Sequence, residues 1–266
     1  MKAYGYKQQI IDNLKKIDND SNNFYNHKGL NFLSKLKINN KNLVILFHGA
    51  VPGNNTNRII FRGFNYEIEN TDIICVCDYL LNIYDKYRVN WSLSTTKYNI
   101  NMIYIDVFNH LINSKIYNNV IFTGTSAGGY PALKFASYFN KIALISNSQI
   151  YLEKYGSSAI SSGFYHLKNI VEEPHDLLLY ENKDIEKHIK QKQPHKIILY
   201  NNIFDSTYKA HVIPFIEFLK NNSYDNILNL ITFAGTPEEN QSQHSIQFPE
   251  NKTHFDILKE LILSLL

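Results

Sequence analysis

Ser126 stands in Gly124-Thr125-Ser126-Ala127-Gly128, the spacing that exposes a serine as a nucleophile. An apolar, β-branched run, Val120-Ile121-Phe122-Thr123, leads into it, and a helix-like segment leads out. On a sharp strand-to-helix turn the serine oxygen is held above the end of the strand. The N–H groups opening the next helix then face any negative charge that develops there. A glycine-rich turn with a serine cap is the bland alternative. A hydroxyl attacks poorly until a base takes its proton, and the base needs an acid to orient it. In the chain order serine, acid, histidine, the acid is Asp205, which follows the apolar run Lys196-Ile197-Ile198-Leu199-Tyr200. Asp205 could also cap the helix starting near Tyr208, a role compatible with catalysis. The base is His244, in the polar loop after the last strand. His254, one turn into the closing helix, is the alternative base. Asp225 precedes the last strand and lies at the wrong end. His211 is placed to support the acid loop or touch substrate. An acyl-transfer site also needs two donors for the developing oxyanion. The N–H of Ala127 is one. The other comes from His48-Gly49-Ala50, with Ala50 preferred over Gly49, and His48 is read as structural.

These groups need a scaffold that brings loop ends together. Residues 7–18 have helical spacing of apolar residues, and Asn-rich turns follow. Asn42-Leu43-Val44-Ile45-Leu46-Phe47 reads as a central strand buried on both faces. Arg58–Arg62, Asp72–Cys77, 118–123, Lys141–Ser146, Lys196–Asn201 and Ile227–Phe233 read as further strands. Helices are expected over Asn99–Ser114, 128–139, 208–220 and 252–266. The alternation implies an α/β fold, a mostly parallel sheet covered on both faces, with its site beyond the carboxyl ends of the strands. The chain is read as one domain over 1–266. It carries an N-terminal helical extension over about 1–40 and a small cap insertion over about 149–193.

With 266 residues and 44% hydrophobic content, the chain can bury a sizeable core. Its 27 Lys and Arg nearly balance 24 Asp and Glu, for a net charge of +3, so no nucleic-acid footprint stands out. Cys75 and Cys77, two apart in one strand, are too close for a useful disulfide and read as buried thiols, as in a reducing compartment. No signal peptide or membrane span is visible, and a cytoplasmic location is the default. No spacing of His, Cys or carboxylates suggests a metal site.

On Gly124-Thr125-Ser126-Ala127-Gly128, His48-Gly49, Asp205 and His244, the chain resembles the α/β-hydrolase superfamily over about residues 40–266. A looser similarity rests on Asp205-Ser206-Thr207-Tyr208, His211, Pro214-Phe215 and the region of Trp91. It is to α/β-hydrolase-like proteins of bacterial surface-polysaccharide clusters, some of which are O-acetyltransferases. The resemblance implies an acyl-enzyme on Ser126 and no bound cofactor. Resolved by water, that intermediate makes an esterase. Resolved by a sugar hydroxyl it makes an O-acyltransferase, with acetyl-CoA as acyl donor. The partner is then a small-molecule or glycan ester substrate, and Tyr151, Tyr155, Phe164 and Tyr165 of the cap would shape its site. A non-catalytic hydrolase-like module that binds a glycan or a partner enzyme is the reading from a different class.

Overall fold

The computed structural model describes residues 22–50, 61, 63, 66–82, 89, 91–94, 99–152, 185–235 and 254–265. Eight strands form one sheet: β1 Asn22–His27, β2 Leu30–Lys35, β3 Asn42–Phe47, β4 Thr71–Val76, β5 Asn119–Thr125, β6 Ile142–Ser146, β7 Lys196–Asn202 and β8 Leu228–Phe233. Their order is β1-β2-β4-β3-β5-β6-β7-β8. The six strands from β4 to β8 pair in parallel, while β1 and β2 add an antiparallel edge. The described helices are α1 Ile100–Ile112, α2 Gly129–Phe139, α3 Ile185–Gln191, α4 Ile213–Asn221 and α5 His254–Leu263.

The strand interiors alternate between two cores, as the two-residue period requires. Leu43, Ile45 and Phe47 of β3 join Val120 and Phe122 of β5 and the buried faces of α1, α2 and α4 in one cluster. Val44, Leu46 and Ile121 point to the other face, with Leu258 and Ile262 of α5. A sheet covered on both faces needs continuous apolar strands, which explains the unbroken runs in β3 and β6. The larger core is strongly aromatic. Phe135 of α2 lies 5.0 Å from Phe108 of α1 edge-on, and stacks on Phe47 at 5.9 Å. Those contacts lock α2, which follows the serine, to both α1 and β3.

Residues 22–35, expected as turns and extension, form the β1–β2 hairpin. Its loop residues, Lys28 and Gly29, both have positive φ, the geometry of a two-residue turn between twisted strands. The helix expected over 7–18 lies outside the described residues. So does the strand expected over Arg58–Arg62 apart from Phe61, which is not in a strand. Of the expected cap, the structure describes residues 149–152 and 185–193. Ile150 and Leu152 are buried in the larger core, and so are Ile185 and Ile189 of α3. Ser137 of α2 donates to the carbonyls of His188 (3.2 Å) and Lys192, fastening α3 to α2. Residues 153–184, including Tyr155, Phe164 and Tyr165, lie outside the described residues.

The chain runs from β3 outward to β4, then returns to place β5 on the other side of β3. Crossovers therefore leave in opposite directions from β3 and β5, opening a crevice at their carboxyl ends. The register Phe47↔Gly124 sets the residues after those strands, His48–Ala50 and Ser126, side by side.

Candidate active site

Ser126 has φ +56°, between the extended Thr125 and the helical Gly129. A left-handed non-glycine residue costs about 1–3 kcal/mol and persists only where its surroundings enforce it. Here they do so through glycine. A Cβ on Gly124 would lie 2.1 Å from the Gly128 carbonyl oxygen, and one on Gly128 would lie 2.6 Å from that of Phe47. The turn can close this tightly against β3 only because both side chains are absent. Ser126 is partly exposed at its apex, while Ala127 is buried. The Ser126 carbonyl accepts from the N–H groups of Gly129 and Gln149, the latter at 3.0 Å.

The His48–Ala50 loop lies against this turn. A Cβ on Gly49 would sit 3.3 Å from the Thr125 carbonyl oxygen and 3.6 Å from Ser126 Cβ. His48 fixes the loop's direction. Its Nδ1 donates to the Gly49 carbonyl at 2.6 Å, and its Nε2 accepts from the Asp78 N–H at 3.0 Å. Accepting at Nε2 makes this a neutral imidazole with its proton on Nδ1. Because the peptide is planar and trans, drawing the Gly49 carbonyl toward His48 turns the Ala50 N–H the opposite way. His48 is thus a spacer for the loop, its two nitrogens spent on backbone.

Asp205 follows β7 and is buried at 3% exposure. Its Oδ1 accepts from the Thr207 N–H (2.8 Å) and the Thr207 hydroxyl (2.6 Å), so it does cap the following helix. That helix opens with a π-helical turn, Tyr208–Val212, before α4. Such turns recur near functional sites because they re-aim side chains. His211 lies in it, buried, and its Nδ1 accepts from the Tyr151 N–H at 3.1 Å. It anchors the segment after β6. Asp225 is exposed just before β8, far along the chain direction from the site.

The structure thus brings Ser126, Gly49 and Gln149 into contact and sets Asp205 two strands away, at the same end of the sheet. His244 lies outside the described residues, and His254 is the first residue of α5. Gln149 and Trp91 were not singled out as site residues by the sequence. Trp91 Nε1 donates to Gln149 Oε1 at 2.7 Å, and Gln149 Nε2 donates to Ser126 Oγ at 3.5 Å. Only the loop after β6, adjacent to β5, could have suggested Gln149.

Sheet order, crevice and serine turn decide the architecture. The chain has the α/β-hydrolase fold. In sequence, no family model matches this hydrolase-fold chain, and no curated protein matches it. Solved structures do match in shape. The capsule O-acetyltransferase of Neisseria meningitidis serogroup A superposes with a TM-score of 0.65 at 17% identity, over 95% of this chain and 99% of its own. Est1E from Butyrivibrio proteoclasticus gives 0.55 at 12% identity, over 92% and 97%. Esterase B from Lactobacillus rhamnosis gives 0.54 at 12%, over 89% and 80%. Among the described residues no helix is long and apolar enough to cross a membrane.

Proposed function

We propose that the protein is a serine-dependent acyl-transfer enzyme, an O-acetyltransferase acting on a carbohydrate hydroxyl. The observation that carries this is Ser126 at φ +56° on the glycine-lined turn at the crevice. Hydrolysis or transfer of an acyl group is the chemistry such a serine serves. Near-complete superposition on a capsule O-acetyltransferase supports the choice of acceptor.

In this mechanism Ser126 Oγ attacks the carbonyl carbon of acetyl-CoA as His244 takes the hydroxyl proton. The C–S bond breaks and the thiol leaves with that proton. A sugar hydroxyl then gives its proton to His244 and attacks the acetyl carbon. The Oγ–C bond breaks and Ser126 recovers its proton. Asp205 spends Oδ1 on Thr207 and uses Oδ2 to hold the imidazole tautomer. The N–H groups of Ala127 and Ala50, with Gly49 beside them, bind the oxyanion.

The test is mass spectrometry of the protein after incubation with acetyl-CoA, with and without polysaccharide acceptors. The reading requires an acetyl group on Ser126 that acceptor removes faster than water does. Removal by water alone at the same rate makes the protein an esterase. Wild-type protein that never acquires the group, while its fold is intact, leaves the non-catalytic binding module.

A further inference from the structure

Trp91 and Ser92 are consecutive left-handed residues, with φ +51° and +54°, and both are buried. Two such non-glycine residues in succession store strain, and strain of this kind concentrates where a side chain must be aimed. The turn is braced from the serine's own helix. Lys134 of α2, 2% exposed, directs Nζ at the Ser92 carbonyl at 3.4 Å. What the turn aims is the Trp91 indole, at Gln149.

An indole N–H can only donate, so the group 2.7 Å from it must be the amide oxygen of Gln149. The amide nitrogen then has to face Ser126 Oγ, at 3.5 Å. Gln149 cannot drift, because its own backbone N–H is bonded to the Ser126 carbonyl at 3.0 Å. The residue is 1% exposed. A donor-to-acceptor series thus runs Trp91, Gln149, Ser126, with each bond polarising the next.

We infer that Gln149 is a catalytic residue that donates to the Ser126 oxygen, and that Trp91 is the positioning residue that orients it. The inference rests on the reading of Ser126 as nucleophile. An N–H on one lone pair of Oγ turns the hydroxyl proton toward the base. Negative charge gathers on Oγ twice: as its proton leaves during attack, and as the Oγ–C bond breaks and the electron pair returns. The Gln149 N–H stabilises both moments. The contact sits at the long end of hydrogen-bond range in the resting enzyme, and such contacts shorten as charge develops.

The test uses the full chain and p-nitrophenyl acetate, with Ser126→Ala as the blank. Gln149→Leu keeps the bulk and removes the donor. It should lower kcat about 30-fold with KM within about twofold, less than the ~10²–10³ of a full oxyanion donor. Gln149→Glu should be slow at neutral pH, where a carboxylate faces Oγ. Its rate relative to wild type should recover below about pH 5, where the protonated acid donates again. Trp91→Phe should lower kcat in the same direction and add little to Gln149→Leu, since both cut one series. A packing role alone would move Tm without that pH dependence or non-additivity. Wild-type kcat in Gln149→Leu, or a pH-independent ratio in Gln149→Glu should the leucine variant not fold, overturns this inference alone. Absence of acetyl on Ser126 in the wild type overturns the nucleophile reading and this inference with it.

Discussion

At the scale of single residues, the proposed nucleophile Ser126 sets stability against activity. Its left-handed backbone is strained in any residue bearing a Cβ, and glycine relieves that strain. Ser126→Gly should therefore abolish acyl transfer while raising stability by about 1 kcal/mol, read as an increase in urea midpoint. Ser126→Ala should abolish transfer without that gain; equal stability of the two variants would show the turn to be unstrained. As the proposed triad acid, Asp205 separates capping from chemistry in the same way. Asparagine still accepts from Thr207, so Asp205→Asn should keep the fold and lower kcat by about 10²–10⁴, as loss of a triad acid does. Asp205→Ala should lose the cap too, about 1 kcal/mol of stability. His244→Ala should match Asp205→Asn in kcat, with His254→Ala near wild type. The reverse pattern would move the base to α5.

Elements position these residues through the tightness of the turn between β5 and α2. Gly128→Ala places a Cβ 2.6 Å from a backbone oxygen of β3 that cannot swing away. A loss of about 3 kcal/mol is expected, measured by denaturant unfolding, with activity falling because Ser126 moves relative to Gly49. Unchanged stability would mean that β3 and α2 are less firmly packed than their shared contacts with Phe135 require. The elements that hold this turn were legible as sequence. β3, β5, β6 and β7 are continuous apolar runs because both their faces are buried, and no other pattern competes. The β1–β2 hairpin was not legible, since asparagines interrupt its strands and the turn signal is Lys28-Gly29 rather than Asn-Gly. Ser126 and Asp205 could be read from their places after strands. The Trp91–Gln149 contact could not, because it joins residues 58 apart through a tertiary hydrogen bond that leaves no local period.

Across the whole molecule, function and stability occupy opposite demands on burial. The crevice end carries polar loops over β3, β5, β6 and β7, while the core beneath them holds acidic groups that keep their protons to higher pH than the unfolded chain does. Both cysteines are buried, and desolvation pushes the Cys75 thiol from 9.0 up to about 12. Tyr200 rises from 10.0 to about 12 through burial, with the Glu260 carboxylate adding to it. Burial also raises Tyr104, helped by Asp78, and Tyr117, helped by Asp72. Each is an acid whose folded pKa exceeds its unfolded value. The folded state keeps protons that the unfolded state gives up, so each contribution is complete below the unfolded pKa and is lost as pH rises toward the folded one. Stability should thus be insensitive to these groups below about pH 9. Above it, each group should cost up to about 1.4 kcal/mol per pH unit until its folded pKa is reached. The thiol ionises first in the unfolded chain. Cys75→Ala should therefore lower stability at pH 7, through the cavity it leaves, yet flatten the decline between pH 9 and 10, where tyrosines still hold their protons in both states. Urea unfolding across pH 7–11 reads both effects. An unchanged slope in the variant would show that Cys75 ionises as readily in the folded protein as out of it, and that water reaches β4.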